Sequence, residues 1–107
     1  MVVPKIVRVA EVGKPAFVLR KGEEGLSVFD PDAVQPPLSE QEILGSFRTG
    51  SQVLVRTAAD IVAKDLQIVP VEGAQNLPER LRQAHREIRP GPAMTRTAFK
   101  QKLRELE

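Results

Sequence analysis

The chain has 107 residues, 41% hydrophobic and 28% charged, a balance that argues against wholesale disorder. Its length suits a single domain spanning residues 1–107, because a chain of this size buries roughly two-thirds of its unfolded surface. Cysteine is absent, which excludes a disulfide scaffold, a thiolate metal site and a cysteine nucleophile, and the formal net charge is +2.

That small charge is unevenly spread. Residues 77–107 carry eight Lys/Arg against four Asp/Glu, whereas residues 1–76 carry eight against ten. A basic tail suits phosphate or an acidic partner, or is simply a solvated face. There are four Phe and no Trp or Tyr, so the core must come from Val, Leu, Ile and Ala, and stacking platforms for single-stranded nucleic acid are lacking. No apolar leader and no run of about 18 apolar residues occurs, so the sequence predicts neither signal peptide nor membrane span. A cytoplasmic protein is expected, and delivery by a signal-less secretion route is compatible with that.

The first elements are extended. Residues 5–10 (Lys-Ile-Val-Arg-Val-Ala) are rich in β-branched side chains and predict a strand. Gly13 and Pro15 break it, and residues 16–20 predict a second strand. Lys21-Gly22-Glu23-Glu24-Gly25 is a turn, and Leu26-Ser27-Val28-Phe29-Asp30 resumes an extended path. Pro31, Pro36 and Pro37 then forbid a long regular element.

Ser39 followed by Glu42 has the form of a capping box, with Ile43, Leu44 and Phe47 as the apolar stripe of a short helix. Residues 52–57 predict a strong strand. Residues 58–64 fit either a helical turn or a connector. Residues 66–71 predict a strand at an edge or end, because Pro70 cannot donate to a ladder. Asn76, Pro78 and Glu79 resemble N-cap, N1 and N3 of a helix carrying Leu77, Leu81, Ala84 and Ile88. Pro90 stops that pattern by about Arg89, and residues 85–88 are alternatively a strand leaving the helix. Thr95 caps a last helix with Ala98, Phe99, Leu103 and Leu106 on one face. Strands come mostly first, helices late, without βαβ alternation. The expected fold is α+β: a small curved sheet, largely antiparallel or mixed, with two or three helices.

Local motifs for chemistry are weak. The turn at Gly22 and Gly25 lacks phosphate-loop spacing and carries acids where phosphate would sit, so it is a plain hairpin turn or a close backbone approach to a ligand. One histidine and scattered carboxylates do not make a metal site, and none is expected. His85 is either an ordinary satisfied histidine or the partner of a hydroxyl such as Ser27 or Ser51. Met94 and Phe99 read as packing residues.

Two segments add to this. Gly25-Leu26-Ser27-Val28-Phe29-Asp30 is one; Arg80-Leu81-Arg82-Gln83-Ala84-His85-Arg86-Glu87-Ile88-Arg89-Pro90-Gly91-Pro92-Ala93-Met94 is the other. With Asp60-Ile61…Leu66 between them, their order and content resemble the type VI secretion effector toxins with an ADP-ribosyltransferase-like, NAD-linked fold. The resemblance runs from about Phe17 onward. It implies an ADP-ribosyltransferase-like core and an NAD-binding toxin that transfers ADP-ribose or hydrolyses NAD, with a protein antitoxin as partner. It implies Ser27 and His85 as catalytic residues, with Arg8, Arg20 and Ser27 holding NAD. Arg8 and Arg20 both qualify for the cleft, and Glu24 and Glu87 are the acids that could bond the ribose. An arginine suits a diphosphate because its planar fork donates bidentately. Breaking the nicotinamide–ribose bond builds positive charge on the ribose, which a site must stabilise electrostatically. Two other readings stand beside this one. The first is a non-catalytic interaction module on the same fold. The second is a basic nucleic-acid-associated protein using Arg80, Arg82, Arg86, Arg89 and Lys100.

Overall fold

A computed structural model describes residues 4–107. It contains five strands and four α-helices. In chain order these are β1 (Lys5–Glu11), β2 (Leu26–Phe29), α1 (Glu40–Leu44), β3 (Ser51–Thr57), α2 (Ala58–Val62), β4 (Leu66–Pro70), α3 (Glu79–Ala84), β5 (His85–Pro90) and α4 (Arg96–Arg104). The strands form one open sheet in the order β3-β1-β2-β5-β4. Every neighbouring pair is antiparallel, as in the α+β fold expected from the pattern.

Alternation along the strands divides the core into two layers, because successive side chains point to opposite faces. On one face Ile6, Leu26, Val28 and Ile88 pack with Phe99 and Leu103 of α4. On the other, Val7, Val9 and Phe29 pack with Ile43 of α1 and Leu81 and Ala84 of α3. A two-residue period in each strand therefore serves helices on both sides of the sheet.

Local chemistry explains where the helices start. Hydroxyl oxygens of Ser39, Thr57 and Thr95 accept the backbone N–H groups of Glu42, Asp60 and Ala98. Each satisfies one of the orphan donors at a helix N-terminus. The Thr57 cap makes a helix of the ambiguous residues after it, which raises the helix count from the expected two or three to four.

Other expectations are corrected. Residues 16–20 form no strand, although Ala16, Phe17 and Leu19 are buried. Their backbone groups are taken by side chains instead of a ladder. Glu107 accepts the N–H groups of Ala16 and Phe17 at 2.9 and 2.6 Å, and the Ala16 carbonyl accepts Arg8 Nε at 2.8 Å. Phe47 lies outside α1, which ends at Leu44, and meets the Phe29 ring edge-on at 6.0 Å. Asn76 does not cap α3, because the extended backbone of Pro78 sets the helix start at Glu79. The helix stops at Ala84, and residues from His85 onward are a strand. Ile88, which fitted a helical stripe, instead pairs with Leu26 and Ile68 on neighbouring strands.

The described residues contain no helix long and apolar enough to cross a membrane. They also contain no group of three or more His, Cys, Asp or Glu side chains that could hold a metal ion.

Candidate functional site

The site begins with the register of two central strands. Ser27 stands opposite Glu87, and Phe29 opposite His85. Positions two apart share a face, so these four side chains form one patch at the centre of the sheet. Two loops wall it. One follows α1 and brings Ser46, Phe47 and Arg48; the other joins β4 to α3 and brings Glu72, Asn76 and Leu77. The open cleft between them has a volume of about 540 Å³. That lies within the range of roughly 300–1,000 Å³ usual for small-molecule sites.

Arg8 reaches the same cavity by an indirect route. Strands β1 and β2 pair at one position, Val7 with Phe29. Beyond it, the Arg8 guanidinium takes the place of further ladder bonds, donating Nη1 to the Ser27 carbonyl at 2.9 Å. No carboxylate of the described residues lies within 4.0 Å of it. Burial lowers the affinity of Arg8 for its proton, Glu23 opposes that effect, and Arg20 adds to it. A half-buried guanidinium with free N–H groups and no paired acid is a ready receptor for an anion.

His85 is buried, with 7% of its surface exposed. Its Nδ1 lies 2.6 Å from the Val71 carbonyl. A carbonyl only accepts, so Nδ1 carries the proton and, in the neutral ring, Nε2 is left as an acceptor. The Phe29 ring holds the imidazole edge-on, with centroids 5.6 Å apart. His85 also lines a second cavity of about 350 Å³ on its other side, with Val71, Arg82 and Arg86. Within the described residues it is thus a partition with one nitrogen anchored, as a positioned acid or base requires.

Glu87 is the acid that the patch presents. Its Oε1 accepts Arg89 Nε at 3.1 Å and Nη2 at 2.9 Å. Gly25 explains why the carboxylate fits there. A Cβ on Gly25 would lie 2.7 Å from Glu87 Oε1, so the absent side chain makes room for the ion pair. The glycine at 25 therefore admits a neighbouring strand's acid, while Gly22 takes the positive φ (87°) of a turn.

Of the residues expected from the sequence, Arg8, Ser27 and His85 meet in one cavity, together with Glu87. Arg20 does not line it; it borders an adjacent cavity that Arg8 shares. Glu24 is exposed and lines neither cavity. Nothing local marked Arg48 or Glu72, Phe47 and Asn76 were read only as helix residues, and it is the proximity of two distant loops that brings all four to the site. Four of the five basic residues named for nucleic acid have partners within the fold. Arg80 is bound to Glu42 at 2.7 Å, Arg89 to Glu87, and Arg86 to the carbonyls of Gln83 and His85. Arg82 faces Glu72 at 3.6 Å, and Lys100 sits apart on α4.

No family model, curated protein or solved structure matches the chain.

Proposed function

We propose that this protein binds NAD and breaks its nicotinamide–ribose bond, as a toxin-like ADP-ribosyltransferase or NAD glycohydrolase. An ADP-ribosyltransferase-like core and a neutralising protein antitoxin belong to the same proposal. The observation that carries it is the convergence of Arg8, Ser27, His85 and Glu87 on one cavity of about 540 Å³. No three of these four lie within one element, so chain proximity does not account for their meeting.

In this reading Arg8 holds the diphosphate and Ser27 orients the nicotinamide ribose. Glu87 bonds a ribose hydroxyl and stabilises the cation that develops at the anomeric carbon. The C–N bond breaks with its electron pair leaving on nicotinamide. A water or an acceptor side chain forms the new bond, and His85 Nε2 takes the proton that this nucleophile releases. Such a reaction needs NAD as substrate and fits a cytoplasmic site of action, where NAD is available.

The test is a thermal-shift titration with NAD, combined with chromatographic detection of released nicotinamide. Saturation at 100 times Kd should stabilise the fold by about 2.7 kcal/mol. His85→Ala and Glu87→Gln should abolish release. No shift at millimolar NAD refutes the reading. A second reading, an interaction module that binds without turnover, is favoured by one fact: Arg89 already occupies the Glu87 carboxylate with two bonds. An NAD-induced shift with no nicotinamide release, unchanged in His85→Ala, would establish that reading instead.

A further inference from the structure

We propose that Glu107, which follows α4 on the face of the sheet away from the cleft, is a positioning residue that sets where the Arg8 guanidinium stands in the cleft. This deepens the NAD reading and rests on it only for the ligand whose affinity is measured; the hydrogen bonds that carry it involve no ligand.

Arg8 leaves its strand on the wrong face for the place its head group occupies. Ile6 packs in the core layer beside α4, whereas Val7 and Val9 pack in the layer on the cleft side. Alternation along β1 therefore starts the Arg8 side chain on the α4 face. Its guanidinium nonetheless lines the cleft with Ser27, Phe29 and His85. The side chain passes between β1 and β2, which pair at the single position of Val7 and Phe29. Arginine has several side-chain torsions to fix, so a head group that crosses a sheet stays in place only where other groups hold it.

Two carbonyls hold it. Arg8 Nη1 donates to Ser27 at 2.9 Å and Nε to Ala16 at 2.8 Å. Ser27 is fixed by its pairing with β5, but Ala16 belongs to no strand or helix, so its carbonyl needs an anchor of another kind. Glu107 supplies it. Its Oε1 accepts the Ala16 N–H at 2.9 Å and its Oε2 the Phe17 N–H at 2.6 Å. The Phe17 N–H and the Ala16 carbonyl are the two ends of one planar peptide group. That group carries a carboxylate at its hydrogen and a guanidinium at its oxygen, and each bond polarises it in the sense that strengthens the other. Arg56 docks both sides of the contact. Its guanidinium lies 5.1 Å from the Phe17 ring centroid, and its Nε donates to the carbonyl of Leu106, next to Glu107. Without the Glu107 carboxylate the Ala16 carbonyl is free to move, and Arg8 swings about its one remaining bond to Ser27.

The experiment follows solvent exchange of the Arg8 Nε–H by NMR in the isotope-labelled full chain, its resonance assigned with Arg8→Lys, and in parallel the affinity for NAD. Wild type is compared with Glu107→Ala, Glu107→Gln and, as a charge-matched control at the same end of α4, Glu105→Ala, which removes only the pair with Lys64. Glu107→Ala should speed exchange at Arg8 and weaken NAD by about tenfold each, the size of one lost charge-assisted contact. Glu105→Ala should change neither. Glu107→Gln keeps one oxygen for the two N–H groups and should fall between, and it decides the matter if the alanine variant does not fold. Arg8→Gln should weaken NAD, and adding Glu107→Ala to it should cost nothing more, because a residue that acts through Arg8 then has nothing left to position. Exchange at Arg8 equal in wild type and both Glu107 variants would overturn the proposal, as would additive losses in the double variant, the mark of a merely structural role. Faster exchange in Glu107→Ala, with no NAD binding in wild type, would keep Glu107 as the positioner of Arg8 and refute the NAD reading.

Discussion

At the scale of single residues, the site depends on what is missing as much as on what is present. Gly25 has no side chain, and Glu87 uses the space. A methyl group at 25 meets the far end of a flexible side chain first, so the carboxylate can swing away at small cost. Gly25→Ala should therefore destabilise the fold by only about 1 kcal/mol. The same substitution removes Glu87 from Ser27 and should abolish nicotinamide release. Denaturant midpoints set beside turnover in the same variant check this; equal loss of both would show that Gly25 serves folding alone. His85 illustrates the complementary case. Its anchored Nδ1 and its contact with Phe29 are structural, and they leave Nε2 as the acceptor that the proposed reaction would use.

Elements add constraints that no single side chain carries. The turn after β5 passes close to the loop that ends α2. A Cβ on Gly91 would overlap the Asp65 carbonyl oxygen, and Asp65 itself takes a positive φ of 62°. Backbone cannot move aside as a side-chain tip can. Gly91→Ala should cost about 3 kcal/mol, because inserted volume forces strand separation where Leu66 pairs with Pro90. A fall in thermal midpoint well beyond that of Gly25→Ala is the expected measurement. The difference between the two glycines follows from their neighbours, a mobile carboxylate in one case and a peptide oxygen in the other.

At the scale of the whole molecule, the two helices on the cavity side are tied across the fold by Arg80 and Glu42. Hydrogen bonding from Arg80 lowers the carboxyl pKa of Glu42, desolvation partly opposes it, and the positive charge of Arg80 adds a lesser lowering. The folded state thus binds the Glu42 proton less readily than the unfolded chain does. Stability from this pair is fully present above the ordinary carboxylate range and is lost as pH falls through the depressed folded value. Arg80→Gln should flatten the acid limb of a stability-versus-pH curve and leave its neutral shape unchanged. Urea midpoints measured from neutral pH downward check this. An unaltered acid limb would show that other carboxylates, Glu11 beside Lys14 among them, govern acid unfolding.

Much of this architecture is written locally. Apolar alternation in residues 5–10, 52–57 and 66–71 sufficed for three strands. Hydroxyls at 39 and 95 sufficed for two helix starts, since a cap and a period involve only near neighbours. The α+β class followed from their order. The long-range contacts were not legible. Residues 16–20 have strand-like composition, yet Glu107 and Arg8 capture their backbone from 90 and 8 positions away. Ser27, His85 and Arg8 could be singled out as residue types, but their convergence depends on the β2–β5 register and on the short β1–β2 pairing. That Arg8 and Glu87 line the cleft while Arg20 and Glu24 do not, and that residues from Phe47 to Asn76 wall it, rests on the same tertiary pairing. The sequence by itself determined the elements and the chemical groups available. Only the tertiary structure decided which of those groups share a cavity, because register and loop proximity are properties of the whole packed sheet rather than of any one segment.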